Sequence, residues 1–173
     1  ISYSHPVNLV DIEKTTITVH SVVLEDGRWK ISSIISEDDK GVLRNVIEKI
    51  EQDGVCPFCP EHLKEYHKRP IIKRGRHWLL TDNMYPYKGT KHHLLLIHKT
   101  HIEHASEISP DAWKELAQMI KFIARKRAIK GGALVMRFGE SAHTGASVAH
   151  LHANIIGADR ENKKREPVLF RVG

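Results

Sequence analysis

The first regularly patterned stretch of the chain runs from residue 15 to residue 35. Thr15 to Leu24 is rich in β-branched residues, Asp26-Gly27 supplies a turn, and Trp29 to Ile35 forms a second apolar run. Two β-prone runs around a short polar turn predict a β-hairpin.

A helix is predicted directly after this hairpin. Ser36, with Asp39 three residues later, resembles a capping box, and Gly54 supplies a stop signal. Residues 1–54 contain no cluster of reactive side chains, so we interpret them as an extension for packing or dimerisation, ahead of a domain at 55–173. The apolar positions of this helix form one stripe, made of Val42, Leu43, Val46, Ile47 and Ile50.

From Cys56 onwards the pattern changes to short apolar runs separated by proline and glycine. A second long helix interrupts these runs, with Ser109 as its N-cap, Pro110 in its first turn and Gly131-Gly132 at its end. Several short strands with only two long helices predict an α+β fold on a mainly antiparallel sheet. The predicted strands are Pro70 to Lys73, His77 to Thr81, His93 to His98, Ala133 to Phe138, His150 to Ile156 and Val168 to Val172. The predicted buried stripe of the second helix is Trp113, Leu116, Ile120 and Ile123.

Histidine is unusually abundant in this chain. The 13 histidines outnumber the 3 Trp, 4 Tyr and 4 Phe residues taken together. Such an excess favours a metal site or a site for phosphate or proton chemistry. We expect the histidines outside such a site, including His5, His20, His62 and His67, to lie on the surface.

The charge balance and hydropathy narrow the classes of function. Lys and Arg number 27 against 21 Asp and Glu, and Lys163-Lys164-Arg165 is a short basic run in a charged loop, so nucleic-acid binding is a weak expectation. No run approaches the ~18 apolar residues of a membrane span, and no basic and then apolar leader precedes the patterned region. We therefore expect a cytoplasmic protein without membrane contact.

Three polar residues alternate along the predicted strand at His150 to Ile156. His150, His152 and Asn154 project to one face, whereas the residues between them are apolar. Polar groups on a buried strand need partners, and a ligand or a metal supplies them together. The outer two lie about 13 Å apart on a straight strand, so one metal cannot bind all three. The alternative is a set of separately hydrogen-bonded or surface side chains.

Cys56 and Cys59 form a CxxC pair. Two cysteines three positions apart exclude a disulfide framework, and the pair is compatible with half a zinc site, a redox pair or two small buried residues. The proline-rich surroundings favour a zinc site that needs two further ligands. The candidates are His98, His101, His104 and His150.

Several motifs together resemble the histidine triad superfamily. Gly145 to Ile156 is similar to its His-x-His-x-His signature, which follows a Gly-x-Ser/Thr turn. Upstream, Asn83 to Pro86, the apolar strand beginning at His93, and Lys99-Thr-His101 resemble its Asn-x-x-Pro, His-plus-strand and Lys-x-His elements. The resemblance implies an α+β domain that pairs into a homodimer and acts on nucleoside phosphates, dinucleoside polyphosphates or phosphoramidates.

The resemblance also implies a role for each matching residue. His152 matches the histidine that attacks the α-phosphorus and carries a covalent nucleotidyl group, which suits a neutral imidazole. Asn83 matches the position that holds the ribose, and His93 lies beside the nucleotide. Gly145 and Ser147 match the phosphate-contacting turn. In zinc-containing branches similar to galactose-1-phosphate uridylyltransferase, the matching structural Zn²⁺ ligands are Cys56, Cys59, His101 and His150.

The chain departs from the family pattern at two positions. The third triad position is Asn154, and the Gln that usually precedes the turn serine is Ala146. An amide can bind a phosphate oxygen but cannot exchange a proton near neutral pH. We therefore expect a nucleotidyl-His152 to form, with hydrolysis weakened relative to transfer to another acceptor. The alternatives are an asparagine that only completes the strand and a substitution introduced there.

Three functions follow from these residues. The first is a nucleotide hydrolase or nucleotidyltransferase that works through His152. The second is a zinc-stabilised nucleotide-binding or adaptor protein that has lost turnover, which the absence of a third histidine permits. The third takes His150 and His152 as two ligands of an open catalytic metal.

Overall fold

The computed structural model describes residues 22–25, 28–31, 50, 53–144, 146, 148–159, 161 and 168. The predicted hairpin is present, since β1 (Val22–Glu25) and β2 (Arg28–Ile31) pair antiparallel with Glu25 opposite Arg28. Most of the first predicted helix and of the strand at 168–172, as well as Gly145 and Ser147, lie outside the described residues.

A five-stranded sheet lies at the centre of the domain. Its strand order is β3-β4-β5-β7-β6, and every neighbouring pair is antiparallel. The predicted α+β architecture is confirmed. The strand bounds are β3 (Ile71–Arg74), β4 (Trp78–Asp82), β5 (Thr90–His98), β6 (Ala133–Arg137) and β7 (His152–Ala158).

One face of the sheet is covered by the long helix α2 (Pro110–Lys126). As predicted, Ser109 caps this helix, and its side chain accepts the Ala112 N–H at 3.2 Å. Trp78, Leu80, Leu96 and Ala153 from the sheet are buried against α2. Burial of this apolar face is the main contribution to the stability of the domain.

Two details of α2 differ from the sequence prediction. The predicted buried stripe is right at Leu116 and Ile123 but wrong at Trp113, which is 44% exposed. Ala112 and Met119 are buried beside the two correctly predicted residues, and Ile120 is partly buried. The helix ends at Lys126, and the positive φ occurs at Ala128. Gly132 instead allows the chain to pass close to β7, because a Cβ at this position would lie 2.5 Å from the Ile156 carbonyl oxygen.

The opposite face of the sheet carries the polar side chains of His93, His152 and Asn154. It is covered by the segment that contains the CxxC pair. Its short helix α1 (Leu63–Tyr66) packs Leu63 against Leu79, Leu95 and Ile97. A 3₁₀ turn (Ala105–Glu107) and a short helix α3 (Ser141–Thr144) complete the regular elements of the described residues. None of the helices in that part of the chain is long and apolar enough to cross a membrane.

Candidate functional site: a Cys₂His₂ cluster beside a buried histidine

Two cysteines and two histidines from three separate parts of the chain, namely the CxxC pair, His101 and His150, meet at the end of the sheet. The ligand atoms of Cys56, Cys59, His101 and His150 all lie within 4.8 Å of one another. Cys56 Sγ is 3.3 Å and Cys59 Sγ is 3.8 Å from His150 Nδ1, and Cys59 Sγ is 3.5 Å from His101 Nδ1. Zn–S and Zn–N bonds of ~2.3 and ~2.0 Å place tetrahedral ligand atoms roughly 3.3–3.8 Å apart, so the separations fit such an ion.

The outward-facing nitrogens of both histidines have oxygen partners. His150 Nε2–H donates to the His98 carbonyl oxygen at 2.6 Å, and His101 Nε2 lies 3.4 Å from Glu103 Oε1. Metal-binding histidines characteristically donate their second ring N–H to a carbonyl or carboxylate, which leaves the other nitrogen unprotonated for the metal. The surroundings of the cluster therefore fit a metal ion as well as its donor atoms do.

Burial shifts the pKa values of the cluster. It raises the pKa of Cys56 to about 12 and also raises that of Cys59 above its ordinary value of 9.0, so both are thiols at neutral pH without a metal. Burial lowers the pKa of His150 to about 4. A neutral imidazole at this position is ready to bind a metal.

The predicted strand at His150 to Ile156 begins two residues late. β7 starts at His152, because the chain bends at 148–150 and the Leu151 N–H bonds to the Ile102 carbonyl at 2.7 Å. This bend sends the His150 ring to the cysteines. The Phe58 ring packs against both His150 and His152, but within the described residues His152 is not part of the ligand cluster.

His152 is buried, and its tautomer follows from its partner. Its Nδ1 lies 2.7 Å from the His150 carbonyl oxygen, which only accepts, so Nδ1 carries the proton and Nε2 has a free lone pair. Burial lowers the pKa of His152 to about 4, and the positive charge of Arg137 acts in the same direction. The ring is therefore neutral near pH 7, which is the nucleophilic form.

Asn154, His93 and Asn83 lie together on the same face as His152. The backbone N–H of Tyr87 donates to His93 Nδ1 at 3.0 Å, so His93 Nε2 carries the ring proton and donates to Asn154 Oδ1 at 3.0 Å. Asn83 Nδ2 is also 3.0 Å from His93 Nε2, and Asn83 Oδ1 accepts the Tyr85 N–H. With its oxygen engaged, Asn154 presents its amide N–H groups as donors.

Three residues of this region were not found from the sequence. Phe58 packs edge-on against the rings of His152 and His150, with centroid separations of 5.1 and 6.1 Å. Arg137 is paired with His152 across β6 and β7, and the Tyr87 ring lies 4.4 Å from that of His93. A strand register and a ring contact depend on tertiary pairing and leave no local sequence signal.

Two of the histidines considered as metal ligands have other partners. His98 Nδ1 bonds to the Thr100 carbonyl at 2.9 Å, and the His104 side chain accepts the Ser106 N–H, which caps the 3₁₀ turn. Their ligand atoms lie outside the described Cys₂His₂ group. His67 was expected on the surface but is buried, because its Nε2 lies 2.8 Å from Thr81 Oγ1 between α1 and the sheet. His5 and His20 lie outside the described residues.

A family comparison matches the part of the chain that forms the five-stranded sheet and contains His101, His150 and His152, but it begins after the CxxC pair. A family profile described as HIT domain matches residues 62–161, more than half of the chain. A curated relative, a CWF19-like protein 1 homolog from Drosophila melanogaster, is 36% identical over 93 residues. The match covers 54% of this chain but only 16% of that relative's length.

Two solved structures share the fold. One is a Zn-bound histidine triad family protein from Mycobacterium smegmatis, with 21% identity, a TM-score of 0.50 and coverage of 68% of this chain and 82% of that one. The other is a histidine triad nucleotide-binding protein from Candida albicans, with 18% identity, a TM-score of 0.50 and coverage of 61% and 76%. At these identities the likeness establishes the fold alone.

Proposed function

The chain belongs to the HIT domain family, and on that premise we propose that it is a nucleotide hydrolase or nucleotidyltransferase that works through His152. Its substrate is a nucleoside phosphate or a dinucleoside polyphosphate, attacked at the α-phosphate. The observation that carries the proposal is the 2.7 Å hydrogen bond from His152 Nδ1 to the His150 carbonyl oxygen, which leaves Nε2 unprotonated on a buried ring.

The reaction proceeds in two displacements on phosphorus. His152 Nε2 uses its lone pair to form a bond to the α-phosphorus, and the bond to the leaving group breaks with its electron pair on the departing atom. The phosphorylated ring is cationic, and its Nδ1–H donates more strongly to the His150 carbonyl oxygen. Water or another acceptor then attacks the phosphorus, and an attacking water releases its proton to solvent. The N–P bond breaks with its electron pair returning to Nε2, so the ring becomes neutral again.

The neighbouring residues bind the nucleotide. Asn83 holds the ribose, His93 lies beside the nucleotide, and the amide N–H groups of Asn154 donate to a phosphate oxygen. Gly145 and Ser147, which lie outside the described residues, are proposed to contact the phosphate. Because His93 Nε2–H fixes the orientation of the Asn154 amide, the donors of Asn154 are preorganised for an anion.

We propose that Cys56, Cys59, His101 and His150 hold a structural zinc ion, as in the zinc-containing branch similar to galactose-1-phosphate uridylyltransferase. The solved Mycobacterium smegmatis relative is described as Zn-bound. Four protein ligands leave no open position, so the ion would supply cross-linking and no catalytic water. The role of this chain's own residues is positional: a fixed His150 fixes the carbonyl oxygen that orients His152.

We propose that the domain forms a homodimer through strand β6. This strand lies at the edge of the sheet, and it exposes Leu134 at 47%, with Phe138 next to its end exposed at 49%. An edge strand with exposed apolar side chains favours pairing with another chain. Sedimentation of the protein and of a Leu134→Lys variant tests this, since only the unaltered protein should sediment as a dimer.

The enzymatic proposal is tested by product formation. The protein should release a nucleoside monophosphate from diadenosine polyphosphates or adenosine phosphoramidate, or form a transfer product when phosphate is added. His152→Ala should remove this activity, whereas His104→Ala, in the exposed 3₁₀ cap, should retain it. Absence of product across adenine, guanine and uridine substrates would contradict the proposal.

A second candidate function is a nucleotide-binding adaptor without turnover. The amide at position 154 favours it, because neither Asn154 nor a neutral His93 can deliver a proton to a leaving group near pH 7. Tight nucleotide binding with neither product nor covalent adduct would support this function over the enzymatic one.

A further inference from the structure

Arg137 is the basic side chain that the sheet register places next to His152. The two residues are opposite each other on β6 and β7, so their side chains share a face with Cβ atoms about 5 Å apart. The sequence motifs assign no role to Arg137. Its position brings a permanent positive charge to the rim of the proposed catalytic site.

The guanidinium of Arg137 extends towards the side of the site where Asn154 lies. Arg137 Nη2 is 3.4 Å from the Tyr87 hydroxyl, and the Tyr87 ring lies 4.4 Å from that of His93. Arg137 pairs with His152, and His93 pairs with Ile156, so a diagonal from Arg137 to His93 crosses β7 at Asn154. The guanidinium of Arg137 is thus directed across Asn154.

The electrostatic balance of this part of the site is cationic and lacks a proton donor. Burial lowers the pKa of His93, and the charge of Arg137 lowers it further against the raising effect of the Asn154 hydrogen bond. A neutral imidazole does not release its remaining proton near pH 7, and an amide does not exchange one. The guanidinium of Arg137 supplies the positive charge of this region.

These properties distinguish between two kinds of leaving group. An amine can leave from phosphorus only if its nitrogen gains a proton, and neither Asn154 nor His93 supplies one. A phosphate or polyphosphate leaves as an anion: the Nε2–P bond forms, the P–O bond breaks, and the electron pair stays on oxygen without a proton. A nearby guanidinium stabilises that developing charge.

We propose that Arg137 binds the leaving group and makes the protein selective for substrates whose leaving group is an anionic phosphate or polyphosphate, over nucleoside phosphoramidates. This inference rests on the proposed function, because it concerns the same displacement at His152. It adds a specificity-determining residue and narrows the substrate class.

The test compares two substrates that share the adenosine α-phosphate and differ in the leaving group. Diadenosine triphosphate releases an anion, and adenosine phosphoramidate releases an amine. We expect Arg137→Met to lower kcat/KM for the triphosphate by roughly 10- to 100-fold and that for the phosphoramidate by less than about 3-fold. Arg137→Lys, which keeps the charge, should recover part of the loss.

A matched control and a second readout separate this role from a structural one. Arg127→Met removes an arginine that pairs with Asp82 at 2.8 Å, and it should leave both kcat/KM values unchanged. Inorganic pyrophosphate should inhibit phosphoramidate cleavage by the unaltered protein, and Arg137→Met should weaken that inhibition at least about 10-fold. The inhibition constant of pyrophosphate is measured on the active fraction of the variant alone, so a loss of folded protein does not change it.

The outcomes separate the two proposals. Suppose that the unaltered protein cleaves both substrates, and that Arg137→Met lowers kcat/KM equally for the two substrates or for neither of them. The leaving-group role of Arg137 is then wrong, and the function of His152 stands. If the unaltered protein cleaves neither substrate, the proposed function fails and this inference fails with it.

Discussion

The side chain of Glu115 connects helix α2 to the loop between β3 and β4. Its carboxylate accepts the backbone N–H groups of Arg76, His77 and Trp78 at 3.1–3.2 Å. Gly75 precedes these donors, and a Cβ there would overlap Glu115 Oε1. Replacing Glu115 with alanine should therefore leave three N–H groups without their acceptor and loosen the attachment of the helix to the sheet.

The loss in the free energy of unfolding caused by Glu115→Ala follows from these hydrogen bonds. A hydrogen bond to a charged group contributes about 1.5–3 kcal/mol, but three donors share one partly exposed carboxylate, so we expect Glu115→Ala to cost about 2–4 kcal/mol. For a chain of this size that lowers Tm by roughly 5–15 °C. Glu115→Gln keeps one acceptor oxygen and should cost about half as much.

The assay is urea unfolding followed by circular dichroism. Gln118→Ala, at an exposed position of the same helix, is the matched control and should change the free energy of unfolding by less than about 0.5 kcal/mol. Gly75→Ala should cost less in the Glu115→Ala background than alone, since the overlapping carboxylate is gone. Equal stability of Glu115→Ala and the unaltered protein would show that the Glu115 carboxylate does not stabilise this loop.

Two further predictions concern the metal cluster and the buried histidines. At pH 7, Zn²⁺ binding to the metal-free protein should release about two protons, one from each thiol, and binding to Cys59→Ser should release about one. Calorimetry in buffers of different ionisation enthalpy measures the number of protons released. Binding without proton release would be inconsistent with thiolate ligands. His67 and His93 have folded pKa values below 6.5, so the unfolded chain binds more protons below that pH. Stability should then fall as pH falls, by at most about 1.4 kcal/mol per unit for each residue. Urea unfolding in the presence of a chelator at pH 7.5 and 5.5 checks this, and His67→Gln should reduce the difference; equal stability at both values would contradict it.

Elements with local signals could be predicted from the sequence. The Ser109 cap and the apolar periodicity of α2 are determined within a few residues, and the short apolar runs of the sheet are equally local. The exposure of Trp113 could not be predicted, because the helix rotation that selects Ala112 depends on how α2 packs on Trp78, whose Nε1–H donates to the Ala112 carbonyl oxygen at 2.8 Å.

The residues of the site also divide into those with a local sequence signal and those whose position depends on tertiary contacts. Motif residues such as His152 and the CxxC pair were visible in the sequence, and the resemblance narrowed four candidate histidines to His101 and His150. The bend before β7 was not visible, because it depends on a hydrogen bond from Leu151 to a loop 49 positions earlier. The position of Arg137 depends on the register of two strands, which a single sequence does not encode locally.

Covalent bonding of His152 to a nucleotide can be measured directly by intact mass. The protein is mixed with diadenosine triphosphate and quenched at alkaline pH, where the histidine N–P bond persists. We expect one added adenylyl group per chain, located on His152 and absent from His152→Ala. Turnover without any adduct, or an adduct that His152→Ala retains, would contradict it.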